Sequence, residues 1–245
     1  SLEPVNQRST GTNQCLFMWM FMSTFINALT AVANGQKLNS KIHLMESTDE
    51  VLRYHIDIVF CIDCTGSMSP VIDLVKDKVR KFPIDLKDAL AKKDKQVHEL
   101  RIRVIAFRDF ESDSDALEAS EFFVVEPSTD SANFESFVNR LGASGGGDEP
   151  ESGLEALAIA MGSDWTDSGD KQRHLVVMFT DASAHKLEDR VGAIPSQFID
   201  VVPADFDGLT DNWDGGQAVK LKKTARRLII FGPDCAPWNT ISDAW

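Results

Sequence analysis

From Arg53 onward, short apolar runs alternate with stretches whose apolar residues recur every three or four positions. Residues 56–62 (IDIVFCI) are β-formers with one charge among them, the pattern of a strand covered on both faces and therefore central. Behind this run, Ser69-Pro70 reads as a helix cap with proline in the first turn. Val71, Val75, Val79, Phe82, Leu86 and Leu90 then predict one long amphipathic helix that can kink at Pro83. Residues 100–107 (LRIRVIAF) predict the next strand and 121–125 a shorter one. Phe134, Phe137, Val138 and Leu141 mark a short helix. A glycine turn at 145–147 precedes Asp148-Glu149-Pro150, and Leu154, Leu157, Ala158 and Met161 define a further helix. Residues 174–180 (HLVVMFT) form a second buried strand ending at Asp181. The polar stretch 183–216 reads as a long excursion, 221–227 as a closing helix and 228–231 as the last strand. Strands alternating with helices in this way predict an α/β fold, doubly wound, with a mostly parallel central sheet and helices on both faces.

Residues 1–50 stand apart as an N-terminal extension to a domain at 51–245. The run 15–33 (CLFMWMFMSTFINALTAVA) is nearly uncharged and ends in Ala31-Val32-Ala33, a small-x-small site of the kind a signal peptidase cleaves. The preceding residues lack a positive segment, the chain does not begin with Met, and Met22 and Met45 are internal alternatives for a start. Three readings stay open: a signal or membrane anchor, a buried or accessory helix, and a stretch outside the native domain. A membrane is a partner only if 15–33 anchors the chain, in which case the protein is secreted or membrane-held; otherwise the domain is expected in the cytoplasm.

Composition changes the picture in two places. At 245 residues, with 43% hydrophobic and 26% charged positions, the chain can build one full core. Its formal net charge of −13, with lysines and arginines scattered, argues against nucleic acid and makes a cation an easy ligand. Cys15, Cys61, Cys64 and Cys235 are too few and too irregular for a disulfide scaffold. Cys61-x-x-Cys64 has redox or half-zinc spacing, but Cys61 belongs to an apolar strand, no second pair follows, and His55 and His185 lack finger-like spacing.

In a doubly wound sheet, ligands sit beyond the carboxyl ends of the strands, near the switch in strand order. Two buried strands end in Asp, at Asp63 and Asp181, so both carboxylates are expected at one rim. Alternate residues of an extended turn point the same way, which lets Asp63, Thr65 and Ser67 present three oxygens to one point while Gly66 relieves crowding. Asp-x-Thr-x-Ser is also what a helix cap or Asx turn looks like. Its place after an apolar strand, the second Asp-ended strand and the acidic glycine loop turn the reading toward a hard cation. Mg2+ is expected, with Mn2+ or Ca2+ as alternatives.

The segment 57–68 (DIVFCIDCTGSM) resembles the first strand and metal-ion-dependent adhesion site of the von Willebrand factor type A family, with its D-x-[ST]-x-S signature intact. The resemblance runs through the helix after Pro70, the 145–157 loop and helix, and Phe179-Thr180-Asp181, about Arg53 to Trp245. It implies a Rossmann-like domain in which Asp63, Thr65 and Ser67 bind the cation directly or through water and Asp181 completes the shell. Where many members place Thr after Gly-Gly, this chain has Gly147-Asp148-Glu149-Pro150-Glu151, similar to stand-alone, largely bacterial members with an acid there. The Thr role accordingly falls to Asp148, which otherwise serves as helix N-terminal charge. An extra carboxylate binds the ion more tightly and leaves it less electrophilic toward an acidic partner.

Of the remaining polar residues, Asp109 reads either as a solvated turn or as support for the site along its face, and Thr180 and Ser183 either as strand-end and cap residues or as groups that orient Asp181. His185 reads as a surface histidine and Trp238 as a packing residue. With no Ser/His/Asp arrangement and no Walker loop, the expected function is a metal-dependent module that binds another protein, not an enzyme. The alternatives are a metal-dependent phosphoester hydrolase using Asp63, Asp148 and Asp181, with Asp109 or Glu149 as base, and a structural scaffold with an empty site.

Overall fold

The computed structural model describes residues 53–93, 95–147, 149–189, 192, 194–216 and 219–245; the segment 15–33 and Asp148 lie outside the described residues. The apolar run after Arg53 becomes β1, Tyr54–Asp63, buried along its length after Tyr54. It lies between two parallel neighbours: β2 (Val97–Phe107), with Asp63 opposite Phe107, and β5 (Lys171–Phe179), with Ile62 opposite Phe179. β6 (Arg226–Phe231) extends the sheet in parallel beyond β5. Two short antiparallel strands share the outer edge of β2: β3 (Leu117–Ala119) beside Ile105–Phe107 and β4 (Phe123–Glu126) beside Leu100–Ile102. The order is β3-β2-β1-β5-β6 with β4 on β2, an α/β fold with a mostly parallel sheet.

Side chains alternate across the sheet, so each strand feeds two cores. Phe60 packs edge-on against Phe82 of α1 (Ile72–Ala91), and Phe123 meets Phe134 and Phe137 of α2 (Ser131–Arg140). On the opposite face Val59, Cys61, Ile105, Val176 and Met178 pack with α3 (Gly153–Met161), which is buried on every side. Leu209 and Trp213 of α4 (Phe206–Trp213) and Trp238 and Ile241 of α5 (Trp238–Ala244) complete that core.

Several boundaries depart from the sequence expectation. α1 starts at Ile72, not behind a Ser69 cap: a 3₁₀ turn at Gly66–Met68 comes first, and Ser69 N–H bonds back to the Gly66 carbonyl. The helix then runs on through Pro83, burying Val75, Val79, Phe82, Leu86 and Leu90. The helix expected over 221–227 is a turn leading into β6, whose first residue, Arg226, pairs with His174. Extending β5 outweighs the weak helical period there. The excursion 183–216 contains α4, capped by Asp205, whose Oδ1 accepts from Gly208 N–H at 2.8 Å. Only Leu209 and Trp213 of that helix are buried, too few positions to announce it.

Candidate metal centre

From β1 the chain builds the sheet outward first on the β2 side and later, through β5 and β6, on the other, so the switch in strand order lies between β1 and β5. Asp63 ends β1, and Thr180-Asp181 follow directly on β5. The crevice where α/β sheets bind ligands therefore opens between them.

A chain of hydrogen bonds joins the predicted residues. Asp63 is fully buried; its Oδ1 accepts from Thr65 N–H at 2.9 Å and from Thr65 Oγ1 at 2.7 Å, and its Oδ2 accepts from Thr180 Oγ1 at 2.7 Å. Ser67 Oγ donates to Asp181 Oδ1 at 2.9 Å and lies 3.1 Å from Thr65 Oγ1. Burial pushes the Asp63 carboxyl up and the charge of Asp181 adds to this, while the Thr65 and Thr180 bonds pull it back. The Thr65 and Ser67 hydroxyls are also within hydrogen-bond distance of each other, with either oxygen able to donate, so the oxygens of Asp63, Thr65, Ser67 and Asp181 form one connected set at the rim.

The glycine loop closes the site from the side. Gly66 N–H bonds to Gly145 O at 2.9 Å and Ser144 N–H to Cys64 O at 2.9 Å. Gly146, at φ 75°, donates its N–H to Asp113 Oδ2 at 2.8 Å. Farther along, Glu149 Oε1 accepts from Ser183 N–H at 2.7 Å, Glu151 N–H bonds to Ser183 O at 3.1 Å and His185 N–H to Glu151 O at 2.9 Å. The two loops enclose a cavity of about 160 Å³ whose polar wall is Thr65, Ser67, Glu149, Glu151 and Asp181, with no Lys, Arg or His among the described lining residues.

Glu151 is the residue that the sequence reading passed over. It is 6% exposed, and its Oε2 is buried without a hydrogen-bond partner. Burial, followed by the charges of Asp63, Asp109, Asp113 and Asp181, pushes its carboxyl up to about 8. An unpaired buried carboxylate oxygen among hydroxyls and carboxylates suits a hard divalent cation. The sequence does place acids at 148, 149 and 151, but nothing in the spacing says which turns inward.

A second group adjoins this one. Asp109 is 2% exposed, with His185 Nε2 3.3 Å from its Oδ1, inside ion-pair range though without hydrogen-bond geometry, and Glu111 N–H bonded to the same oxygen at 3.0 Å. Ligand atoms of Asp109, Glu111 and His185 lie within 4.8 Å of one another, a group that could hold a metal. His185 is thus not a surface histidine: the pairing of 183–185 with Glu151 carries its ring inward. The Cys61 and Cys64 thiols are free and buried, each pushed up to about 12 chiefly by burial, and Cys61 Sγ contacts Ala156 O at 3.6 Å. That environment suits packing, not redox chemistry or metal binding. Trp238 packs on Gly153 and donates its Nε1–H to Ala182 O at 2.9 Å, fixing the turn after Asp181.

A model of the von Willebrand factor A domain matches residues 116–201. The alpha-protein kinase vwkA of Dictyostelium discoideum is 26% identical over 183 residues, 72% of this chain; the match spans 27% of the kinase's own length. Among solved structures, the pilus adhesin SpaC from Lactobacillus rhamnosus GG aligns over 54% of this chain and 16% of its own at 13% identity, with a TM-score of 0.40. Three N-terminal domains of a type V pili tip protein from Porphyromonas gingivalis align over 54% of this chain and 20% of theirs at 17% identity, with a TM-score of 0.37.

Proposed function

Because this chain carries a von Willebrand factor A domain, we propose that the rim between β1 and β5 is a metal-ion-dependent surface that docks another protein. The observation that carries the reading is the convergence of four oxygen-bearing side chains: Thr65 Oγ1 is bonded to Asp63 Oδ1, Ser67 Oγ to Asp181 Oδ1, and the two hydroxyls lie 3.1 Å apart. Asp63, Thr65, Ser67 and Asp181 would hold the ion, with Asp148 as the further ligand that the family pattern implies. An all-oxygen set with room for water suits Mg2+, with Mn2+ or Ca2+ as substitutes. When bound, the ion supplies positive charge at a rim otherwise lined by acids, together with open positions for water or a partner's oxygen. This chain's own groups do the positioning: Thr180 and Thr65 clamp both oxygens of Asp63, and the Glu149–Ser183 bond ties the glycine loop to the turn after Asp181.

Binding is favoured over hydrolysis because the two candidate bases are engaged. Asp109 is buried against His185, and Glu149 Oε1 is held by Ser183 N–H. Among the described residues the Asp109–Glu111–His185 group favours a phosphoester hydrolase, and turnover of p-nitrophenyl phosphate with Mn2+, lost in His185→Ala, would establish it. The test of the main reading is thermal unfolding with and without Mg2+. Mg2+ is expected to raise the Tm of the wild-type chain and to leave Asp63→Asn unmoved, since a ligand stabilises only the state that binds it. Equal Mg2+ shifts in both proteins would sink the idea.

A further inference from the structure

We propose that Asp109, Glu111 and His185 form a second metal site, separate from the ion proposed for the rim and selective for a borderline metal such as Zn2+ over Mg2+. The group shares no residue with Asp63, Thr65, Ser67 and Asp181, and none of its three members is among the described lining residues of the rim cavity.

The contact between His185 and Asp109 carries the inference. His185 Nε2 lies 3.3 Å from Asp109 Oδ1, yet no hydrogen bond joins them, and Nε2 is buried without a partner. An imidazolium would aim its N–H along the line to the carboxylate. Here a proton on Nε2 would have no acceptor in line and would be stranded away from water. A lone pair on Nε2 is different, because it and Asp109 Oδ1 can point at one ion. Two ligands bound at about 2.0–2.1 Å to a tetrahedral centre stand about 3.3–3.4 Å apart, which matches the contact.

Glu111 supplies the third ligand. Its N–H holds Asp109 Oδ1 at 3.0 Å, and a ligand oxygen of its own lies within 4.8 Å of those of the other two residues. Glu111 is exposed, so its carboxylate can swing through water to close the remaining distance, and the same opening leaves the fourth position to water. The backbones of the other two are fixed. Phe110 N–H donates to Oγ of the buried Ser152 at 2.9 Å and Asp113 N–H to Asp109 O at 2.9 Å, while His185 N–H bonds to Glu151 O at 2.9 Å. An ion between Asp109 and His185 would staple the loop after β2 to the segment after β5.

The imidazole decides which metal enters. Mg2+ takes oxygen ligands in near-octahedral geometry, whereas one ring nitrogen with two carboxylates suits Zn2+ and its close relative Co2+. The all-oxygen rim has the opposite preference, so the choice of metal separates the two sites.

The test uses the full chain in saturating Mg2+, with Co2+ as the probe and its visible ligand-field absorption as the readout. Wild type is expected to bind Co2+ tightly, and Zn2+ to displace it where further Mg2+ does not. His185→Gln and Asp109→Asn should each weaken Co2+ binding about tenfold or more, and Glu111→Gln, an exposed change that leaves the core untouched, should weaken it likewise. Asp63→Asn should leave the Co2+ spectrum and affinity at wild-type values, and His185→Gln should keep the Mg2+ shift in Tm. Wild-type Co2+ binding in both His185→Gln and Glu111→Gln overturns the site and leaves the rim reading standing. Loss of the Co2+ absorption in Asp63→Asn overturns the claim of a separate site, because the probe then reports the rim. Co2+ bound through His185 in a chain with no Mg2+ shift supports this site and sinks the rim reading instead.

Discussion

Ser67 and Asp181, 114 positions apart, share a 2.9 Å hydrogen bond because β1 and β5 are adjacent and parallel with Ile62 opposite Phe179. The bond is exposed, so it contributes little to folding, and both residues are free to serve the ion. Asp181→Asn keeps an acceptor but loses the charge. It should shift urea-unfolding stability in EDTA by no more than about 0.5 kcal/mol, while Mn2+ affinity falls about tenfold or more. A loss of stability matching the loss of affinity would place Asp181 in the fold instead of the site.

Thr180 has the opposite character. Its hydroxyl is buried and satisfies Asp63 Oδ2, an oxygen with no solvent to replace the bond. Thr180→Val preserves shape and deletes that donor, so stability should drop by about 1–3 kcal/mol, the cost of leaving a buried acceptor unpaired. Equilibrium denaturation in EDTA checks this. An unchanged midpoint would mean that Asp63 finds another donor.

The sheet order and the meeting of Asp63, Thr65, Ser67 and Asp181 were legible because buried parallel strands are continuous apolar runs and each of the two central ones ends in Asp. What was not legible depended on long-range packing. α4 hides because it buries only Leu209 and Trp213, and the 221–227 stretch looks helical until β5 offers Arg226 a strand partner. Glu151 and His185 were missed for one shared reason: the parallel bridge between 151 and 184 turns both inward, and no local spacing encodes a bridge between loops 33 residues apart (184 minus 151).

Asp57, near the opposite end of β1, separates stability from metal binding. Arg101 holds its carboxylate with two hydrogen bonds, Nε at 2.8 Å and Nη2 at 2.6 Å, and Thr166 N–H adds a third at 2.6 Å. The side chain of Asp57 is 1% exposed and that of Arg101 19%. Asp57→Ala strands a guanidinium and a backbone donor, so it should cost about 3–5 kcal/mol. Mn2+ affinity of the folded fraction should stay at the wild-type value, because no rim residue touches this pair. A parallel fall in affinity would show that the rim is strained by events at the far end of the sheet.

The raised Glu151 carboxyl makes the metal-free domain pH-sensitive in a definite direction. Its ordinary value is 4.5 and the folded value about 8, so between these limits the folded state binds more protons than the unfolded one. Stability then falls as pH rises. In EDTA the contribution is fully present below about 4.5, declines progressively above it and is lost as pH passes through about 8. Glu151→Gln, which cannot ionise, should flatten that slope in a series of urea titrations across pH 5 to 8.5. The raised Asp63 carboxyl pushes stability the same way, by burial first, so the variant is expected to reduce the slope without abolishing it. Saturating Mg2+ should reverse the trend in wild type, because deprotonated ligands bind the ion and binding stabilises the folded state. A slope identical in wild type and Glu151→Gln would mean that this carboxyl reaches solvent and needs neither proton nor ion.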